Sequence, residues 1–433
     1  MVVGGLGVSG VDVLASLREY VEGGNRVNSR LVADVLAKYV AATKRVKTLL
    51  DHMGNEVGVF CYRPEGYYGS CLHDLPAEVY GLCRELGLLG KVGNYLAFER
   101  VFVRALKSYT RFEGDFDRHL VLFRNGVLDW RCLEGGGGSR CLVKPDPGLL
   151  VVHRVPWEVD AGVLSRSFSG REELAREVET ELWEVVEVFR EWAGDGWFAL
   201  LEVLGYVFLA GDYPLGRVVL LYGRGSGGKS TFLGLVSALL GEDNVSAVCL
   251  EDLAGGRGDF AVSRLYGRLA NVCASLPGKV SSGEVEVLER LAGGGLVEAR
   301  RKSRGSFAFK NYAKLLFATN VPPKVVGAGS APWGRWYLIE FPGRFPRNPR
   351  FRRWLFGELL PRVAPRLIAY SILAALLAVR EGRFAFEGGV DLREARLRAS
   401  NSAYAFIKRA LELGCWWRIV RATWTRSGFT TRM

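Results

Sequence analysis

The chain lacks glutamine altogether, has only four histidines in 433 residues, and sets no two of its eight cysteines in C-x-x-C spacing. Clustered zinc sites need such pairs or paired histidines, so zinc is not expected. Cys61, Cys71, Cys83, Cys132, Cys141, Cys249, Cys273 and Cys415 are expected instead to be reduced core residues of a cytoplasmic protein. Residues 1–10 have neither a basic start nor a full apolar segment, so no secretory signal is read there. Leu367 to Val379, the longest apolar run near the end, is too short to cross a bilayer, and no membrane partner is expected. The missing glutamine, with arginine in preference to lysine, is compatible with a hot habitat. His119 and His153 stand alone in apolar runs and are expected as core or edge residues, not ligands.

What is present is a globular composition, 49% hydrophobic and 24% charged, which can bury large cores over a length suited to about two or three domains. A formal net charge of +12 points to a polyanionic partner and says nothing about fold. The organising stretch is Leu220 to Leu240, LLYGRGSGGKSTFLGLVSALL. An apolar run over Val218 to Tyr222 predicts a strand, and a helix-period segment starts at Lys229. Between them Gly223 to Ser230 satisfies G-x-x-x-x-G-K-[ST]. Gly223, Gly225, Gly227 and Gly228 let backbone N–H groups converge on a phosphate at angles that a Cβ disfavours. Lys229 then supplies a point charge for the β and γ phosphates of ATP, Ser230 a hydroxyl for Mg²⁺, and Thr231 a further group in the first helical turn. The competing reading is a glycine-rich hairpin with a chance lysine.

Around this stretch, helical spacing predicts helices over Val11 to Leu50, with Leu14, Leu17, Tyr20, Leu31, Val35 and Tyr39 on one face, and a helical pair over Ala77 to Tyr109. Asn125-Gly126 between apolar runs predicts a hairpin with a tight type I′ turn. Arg171 to Trp192 and Trp197 to Leu209 predict a helical collar. After the loop, Leu269 to Ala274 and Lys314 to Thr319 predict two more buried strands. Asn320, at the tip of the latter, either senses a γ-phosphate or caps the following turn. Leu296 to Phe309 predicts a hairpin whose turn carries Arg300, Arg301, Lys302 and Arg304, either a contact for a phosphate backbone or a charged surface. Arg350 to Leu377 and Ala403 to Leu413 predict helices. The end, Trp416 to Arg426, interleaves aromatics with cations, either to bind nucleic acid or as the packed edge of a small domain.

The order of parts resembles the superfamily 3 helicases, and more narrowly the helicase portion of phage, plasmid and poxvirus primase–helicase proteins. The residues that carry it are Gly205-Tyr-Val-Phe-Leu-Ala-Gly211, GRGSGGKSTF, LYGRLANV at Leu265 to Val272, KLLFATNVPP at Lys314 to Pro323 and WGRWYLIEF at Trp333 to Phe341. Upstream, RNGVLDW at Arg124 to Trp130 and VPWEVDA at Val155 to Ala161 resemble the preceding domain of that family. The resemblance implies an α/β fold with an AAA+-like P-loop ATPase core on a parallel sheet over 197–347. Ahead of it come a mixed α+β domain over 1–165 and a helical collar over 166–196, and behind it a helical region over 348–433. It implies a ring, usually hexameric, that hydrolyses ATP at subunit interfaces while moving on single-stranded or forked DNA. Asn320 takes the sensor role, Arg335 that of an arginine finger reaching a neighbour's γ-phosphate, and Arg301, Lys302 and Arg304 the DNA contacts. The first hundred residues lack a clustered Asp/His constellation, so priming would come from a separate primase or polymerase.

The chain departs from that family in three places. Ser275 stands where the second strand should end in an acid that holds Mg²⁺ and polarises water, and a serine is no general base unaided. Glu284 or Glu286, a few residues on, is the expected substitute. The tract that usually ends in a carboxylate reads Gly293-Gly-Gly295, and Gly227 replaces an asparagine of the loop.

Overall fold

In the computed structural model the described residues are 10–23, 27–256, 258–301, 305–326, 335–345, 348–387 and the single positions 395 and 397. The candidate helix at 403–413 and the aromatic and basic end at 416–426 lie outside them.

The first part opens with helices α1 (Gly10–Glu22) and α2 (Ser29–Thr43), followed by strands β1 (Lys47–Leu50), β2 (Glu56–Tyr62) and β3 (Tyr68–Ser70), helices α3 (Leu75–Glu85) and α4 (Tyr95–Tyr109), and the short strand β4 (Arg111–Phe112). The strands form one sheet in the order β3-β2-β1-β4. Asn28 caps α2 by accepting from the N–H groups of Arg30 and Leu31. The buried stripe of α2 is Val32, Leu36 and Val40, and Leu31 is half exposed, so the inward face lies one residue on from the expected Leu31, Val35 and Tyr39. Residues Leu17 to Leu106 close an apolar core of their own.

Next come β5 (Leu120–Phe123), β6 (Gly126–Asp129), α5 (Trp130–Glu134), β7 (Leu142–Val143) and β8 (His153–Arg154), in a sheet of order β7-β6-β5-β8. The expected hairpin is present with a different turn. Phe123 pairs with Gly126, so the loop residues are Arg124 and Asn125, neither of which has positive φ, and the turn is not type I′. Asn125 is drawn off by Val159, whose carbonyl accepts from Nδ2 and whose N–H donates to Oδ1. His153 is buried as expected, between Asn244 and Tyr312.

Helices α6 (Ala161–Leu164), α7 (Arg171–Glu181), α8 (Trp183–Ala193) and α9 (Trp197–Tyr206) lead to the main sheet. Its strands are β9 (Val218–Tyr222), β10 (Val245–Ser246) and β11 (Ala270–Cys273), then β15 (Lys314–Thr319) and β17 (Trp336–Glu340). All are parallel, in the order β10-β11-β15-β9-β17. Strands β9 and β15 read as near-continuous apolar runs because both their faces are covered. Between them in sequence lie α10 (Lys229–Leu240), α11 (Leu250–Ala254), α12 (Gly258–Val262), β12 (Lys279–Ser281), α13 (Ser282–Ala292), β13 (Leu296–Arg301) and β14 (Gly305–Lys310), with β16 (Lys324–Val326) after β15. Strands β13 and β14 form the expected hairpin, and β12 pairs with β16. Helix α14 (Pro349–Trp354) runs through a wide turn, Leu355–Leu359, into α15 (Leu360–Glu381), which packs along the fully buried α9. The protein is thus mixed α/β, with several sheets, the five-stranded one parallel throughout, and a helical region after it. A second apolar core runs from Phe116 to Ala385 and takes in Leu49, Val57 and Tyr68.

One expectation fails here. Six of the cysteines are paired, as Cys61–Cys71, Cys132–Cys141 and Cys249–Cys273, and only Cys83 among the described residues is free. The partners are 9 to 24 residues apart, so folding rather than sequence spacing brings them together. The apolar run near the end, Leu367 to Val379, lies within a longer helix. The helix that holds it is continuous over Pro349–Glu381, 33 residues, long and apolar enough to cross a membrane, and 72% of its apolar window is buried inside the protein.

Candidate functional site

Strand β9 ends at Tyr222 and the chain turns at Gly223 with φ of 144°, where a Cβ would lie 2.2 Å from the carbonyl oxygen of Phe341. Gly228, the residue before α10, has φ of 97°, and a Cβ there would lie 2.5 Å from Cδ1 of Trp192. Left-handed backbone and close neighbours both require glycine at these two positions. Ser226 also takes positive φ, 65°, and its carbonyl accepts from the N–H of Phe345 at 2.9 Å. The rear wall of the loop is therefore the segment that follows β17. It is held there because β17 pairs with β9 up to Glu340 and Tyr222, and the N–H of Phe341 then donates to Tyr222 at 2.7 Å.

Lys229 opens α10 inside this wall and is 6% exposed. Its Nζ donates to the carbonyl oxygens of Gly223 at 2.6 Å and Arg224 at 2.8 Å. An ammonium has three N–H donors, so one remains beyond these two bonds. Burial holds its pKa below the ordinary lysine value, and no carboxylate among the described residues pairs with it. A buried ammonium met only by carbonyl dipoles is a charge whose desolvation an anion would offset.

Strand β15 lies between β9 and β11, with Thr319 level with Tyr222 and Phe317 level with Cys273. That register brings the ends of three strands to one edge of the sheet. A cavity of about 950 Å³ opens there, lined in part by Ser226 to Thr231, Ser275, Thr319 and Asn320. Gly227, Gly228, Lys229, Ser230, Thr231 and Asn320 are thus brought together as expected, with Ser275 facing the same space; Gly223 and Gly225 shape the loop from outside the lining. Asn320 is exposed on the tip, and the turn after it is closed by the hydroxyl of Thr319, which donates to Val321 at 2.9 Å.

Both expected substitutes for the acid are elsewhere. Glu284 does not line the cavity: its carboxylate accepts from the N–H of Ser281 at 2.7 Å and from the hydroxyl at 2.8 Å, closing a capping box at the start of α13. Glu286 does not line the cavity either. Arg335 stands at the far end of the sheet, its carbonyl accepting from Val218, the first residue of β9. The five residues of β9 separate it from its own loop by roughly 17 Å at about 3.3 Å per residue. It is half-buried, with its guanidinium beside Gly216 and Gly293. Arg301 donates to the carbonyl of Val57 in the first sheet and lies over the rings of Phe307 and Tyr266, at 4.5 and 5.3 Å, so it packs within the chain instead of presenting a charge to solvent. The N–H of Ala308 on the same hairpin donates to Asp51 at 3.1 Å. Lys302 and Arg304 lie outside the described residues.

The lining also takes in residues with no local signal in the sequence: Glu191 and Trp192 at the end of α8, Phe345 behind the loop, and Phe351 and Arg352 on α14. Glu191 is the only carboxylate among the described lining residues. Among the described residues no group of three or more His, Cys, Asp or Glu could hold a metal ion. Of the lining residues, Ser230 has the hydroxyl that could serve a Mg²⁺ ion brought in by a phosphate ligand.

A family described as a "Family of unknown function (DUF5906)" matches residues 221–331, from the end of β9 to beyond β16. No curated protein matches the chain. Among solved structures, "The A form apo structure of NrS-1 C terminal region-CTR" is similar at 11% identity and a TM-score of 0.45, over 87% of this chain and 78% of that one. A second structure of that region, an A-form apo structure of residues 305–718, is similar at 12% identity and a TM-score of 0.42, over 79% and 71%. Likeness at this level carries no argument about activity or partners.

Proposed function

We propose that this chain binds ATP with Mg²⁺ at the carboxyl edge of its parallel sheet and works as a ring-forming, DNA-translocating helicase in the replication of a virus, plasmid or integrated element. The observation that supports it is the convergence of Lys229, Ser230, Thr231, Ser275 and Asn320, from three adjacent strand ends, on one cavity beside a buried, carboxylate-free ammonium. Lys229 and the backbone of Gly223 to Gly228 grip the phosphates, Ser230 holds the metal, and Asn320 orients the attacking water. In this reading 197–347 is the AAA+-like, superfamily 3 motor, 1–165 and 166–196 are its associated domain and collar, and 348–433 follows as a helical region. Arg335 stands too far from its own loop to serve it, so a second copy must present it, which is the reason for a ring, of hexameric type. Lys302 and Arg304 touch the DNA strand, Arg301 being engaged with Val57. A separate primase or polymerase supplies the primer.

A second reading has a specific observation in its favour. With Ser275 in the acidic position and Glu284 held by Ser281, no strand end carries a carboxylate into the cavity among the described residues. The chain is then an ATP-binding, DNA-binding ring with weak or no hydrolysis.

Turnover measured with and without single-stranded DNA, for the native chain and for Lys229→Ala, separates the two. DNA-stimulated turnover that vanishes in the variant supports the motor. Binding of ATP without turnover under any condition supports the second reading, and no ATP binding sinks both. Negative-stain images with an ATP analogue test the ring directly; particles that stay monomeric contradict the role of Arg335.

A further inference from the structure

The cavity joins two kinds of group: the buried ammonium of Lys229, and the rings of Trp192, Phe345 and Phe351 with Arg352 beside them on the lining. Trp192 is buried, stacks on Phe189 with ring centres 5.8 Å apart and is turned toward Gly228, so it builds the wall without meeting a ligand. Phe345 and Phe351 are half-buried and face open space. Partly exposed rings in one cavity with a buried cation suit a molecule with a flat head and an anionic tail. Stacking on such rings favours every base and so selects none. Selection requires a hydrogen-bonding group, and Glu191 is the only carboxylate available on the described lining. It precedes Trp192 directly, so the packing of that indole under Gly228 fixes where Glu191 stands relative to the loop. No ion pair among the described residues uses it, whereas its neighbour Arg190 is paired with Glu179 and Glu187.

We propose that these rings hold the nucleoside and that the Glu191 carboxylate selects adenine by accepting a hydrogen bond from its 6-amino group. The inference rests on the phosphate-end reading above and names the base that goes with it. An ionised carboxylate only accepts. Adenine offers an amino donor at this position, whereas guanine and thymine offer a carbonyl acceptor there, which the carboxylate repels. Cytosine also carries an amino group, but its single ring gives Phe345 and Phe351 less face to cover.

The test is calorimetric titration of the whole protein, with Mg²⁺, by ATP and by purine riboside triphosphate, which is ATP without the 6-amino group. The native chain is expected to bind ATP about tenfold more tightly or better, the effect of one hydrogen bond to a charged acceptor. Glu191→Ala should bring ATP down to the affinity of the analogue and leave the analogue unchanged, while Phe351→Ala weakens both alike. Equal affinities in the native chain, or a Glu191→Ala variant that weakens both ligands, overturns the proposal. If the two bind equally and Lys229→Ala abolishes both, the phosphate reading stands and the adenine reading falls. If neither binds, both fall.

Discussion

The indole of Trp192 lies against the backbone of Gly228, so close that a Cβ there would sit 2.5 Å from Cδ1 of the ring. Helix α8 is thereby held against the loop ahead of Lys229. Gly228→Ala must push the indole away and also hold alanine at φ of 97°. A cost of about 2 kcal/mol or more is expected, with loss of nucleotide binding. Gly225 has no atom within 4 Å of its virtual Cβ and no positive φ, so Gly225→Ala should change stability by only about 0.5 kcal/mol. Thermal melts of the two variants check this; equal melting temperatures would contradict it.

Lys229 gives a pH dependence with a definite sign. Burial lowers its pKa in the free protein, and a triphosphate binds the ammonium form. Affinity for ATP is therefore full below that lowered pKa and declines as pH rises through it, by about tenfold per unit, in a range where an ordinary lysine is still charged. Titrations in two buffers of different ionisation enthalpy should show proton uptake on binding at alkaline pH. Lys229→Ala should bind ATP weakly at every pH and show none.

Glu284 serves α13 as a cap. Glu284→Ala should cost about 0.5 to 2 kcal/mol in stability, the usual effect of losing such a partner, and leave ATP turnover per folded molecule unchanged. A hundredfold loss of turnover would instead restore it as the missing acid. Turnover and melting of the same preparation decide between these.

His153 joins β8 to the main sheet through Asn244 and Tyr312, and burial pushes its pKa down to about 3. The unfolded chain takes up a proton near pH 6.5, well before the folded one does. The stability this gives is complete above 6.5 and is lost as pH falls toward 3, by about 1.4 kcal/mol per unit. Denaturant melts between pH 7 and pH 4.5 should show this slope, and His153→Asn should flatten it.

Cys249 and Cys273 tie the start of α11 to the strand that leads to Ser275, across 24 residues. Replacing both by alanine should cost about 3 kcal/mol by the loop-entropy account. Melts without reductant check this, and a variant as stable as the native chain would mean that the bond does not form.

The sequence by itself determined the strand, loop and helix around Lys229. Those residues are contiguous and their signals local: an apolar run, glycines where φ is positive, and a lysine opening α10. The strand of Lys314 to Thr319 was legible for the same reason, an apolar run covered on both faces. What only the tertiary structure decided is which distant residues share the cavity. Trp192 lies about 36 positions before Gly228 and Phe345 more than 100 after it, and they meet because of sheet order and helix packing, which leave no mark on a local window. The same holds where a local reading misled. Glu284 has the chemistry of a catalytic acid, but a serine three residues earlier claims it; Arg301 has a free charge in the sequence, but a carbonyl some 240 residues away accepts from it. The cysteine pairs follow suit, since spacing alone cannot bring two sulfurs within bonding distance and the folded backbone does.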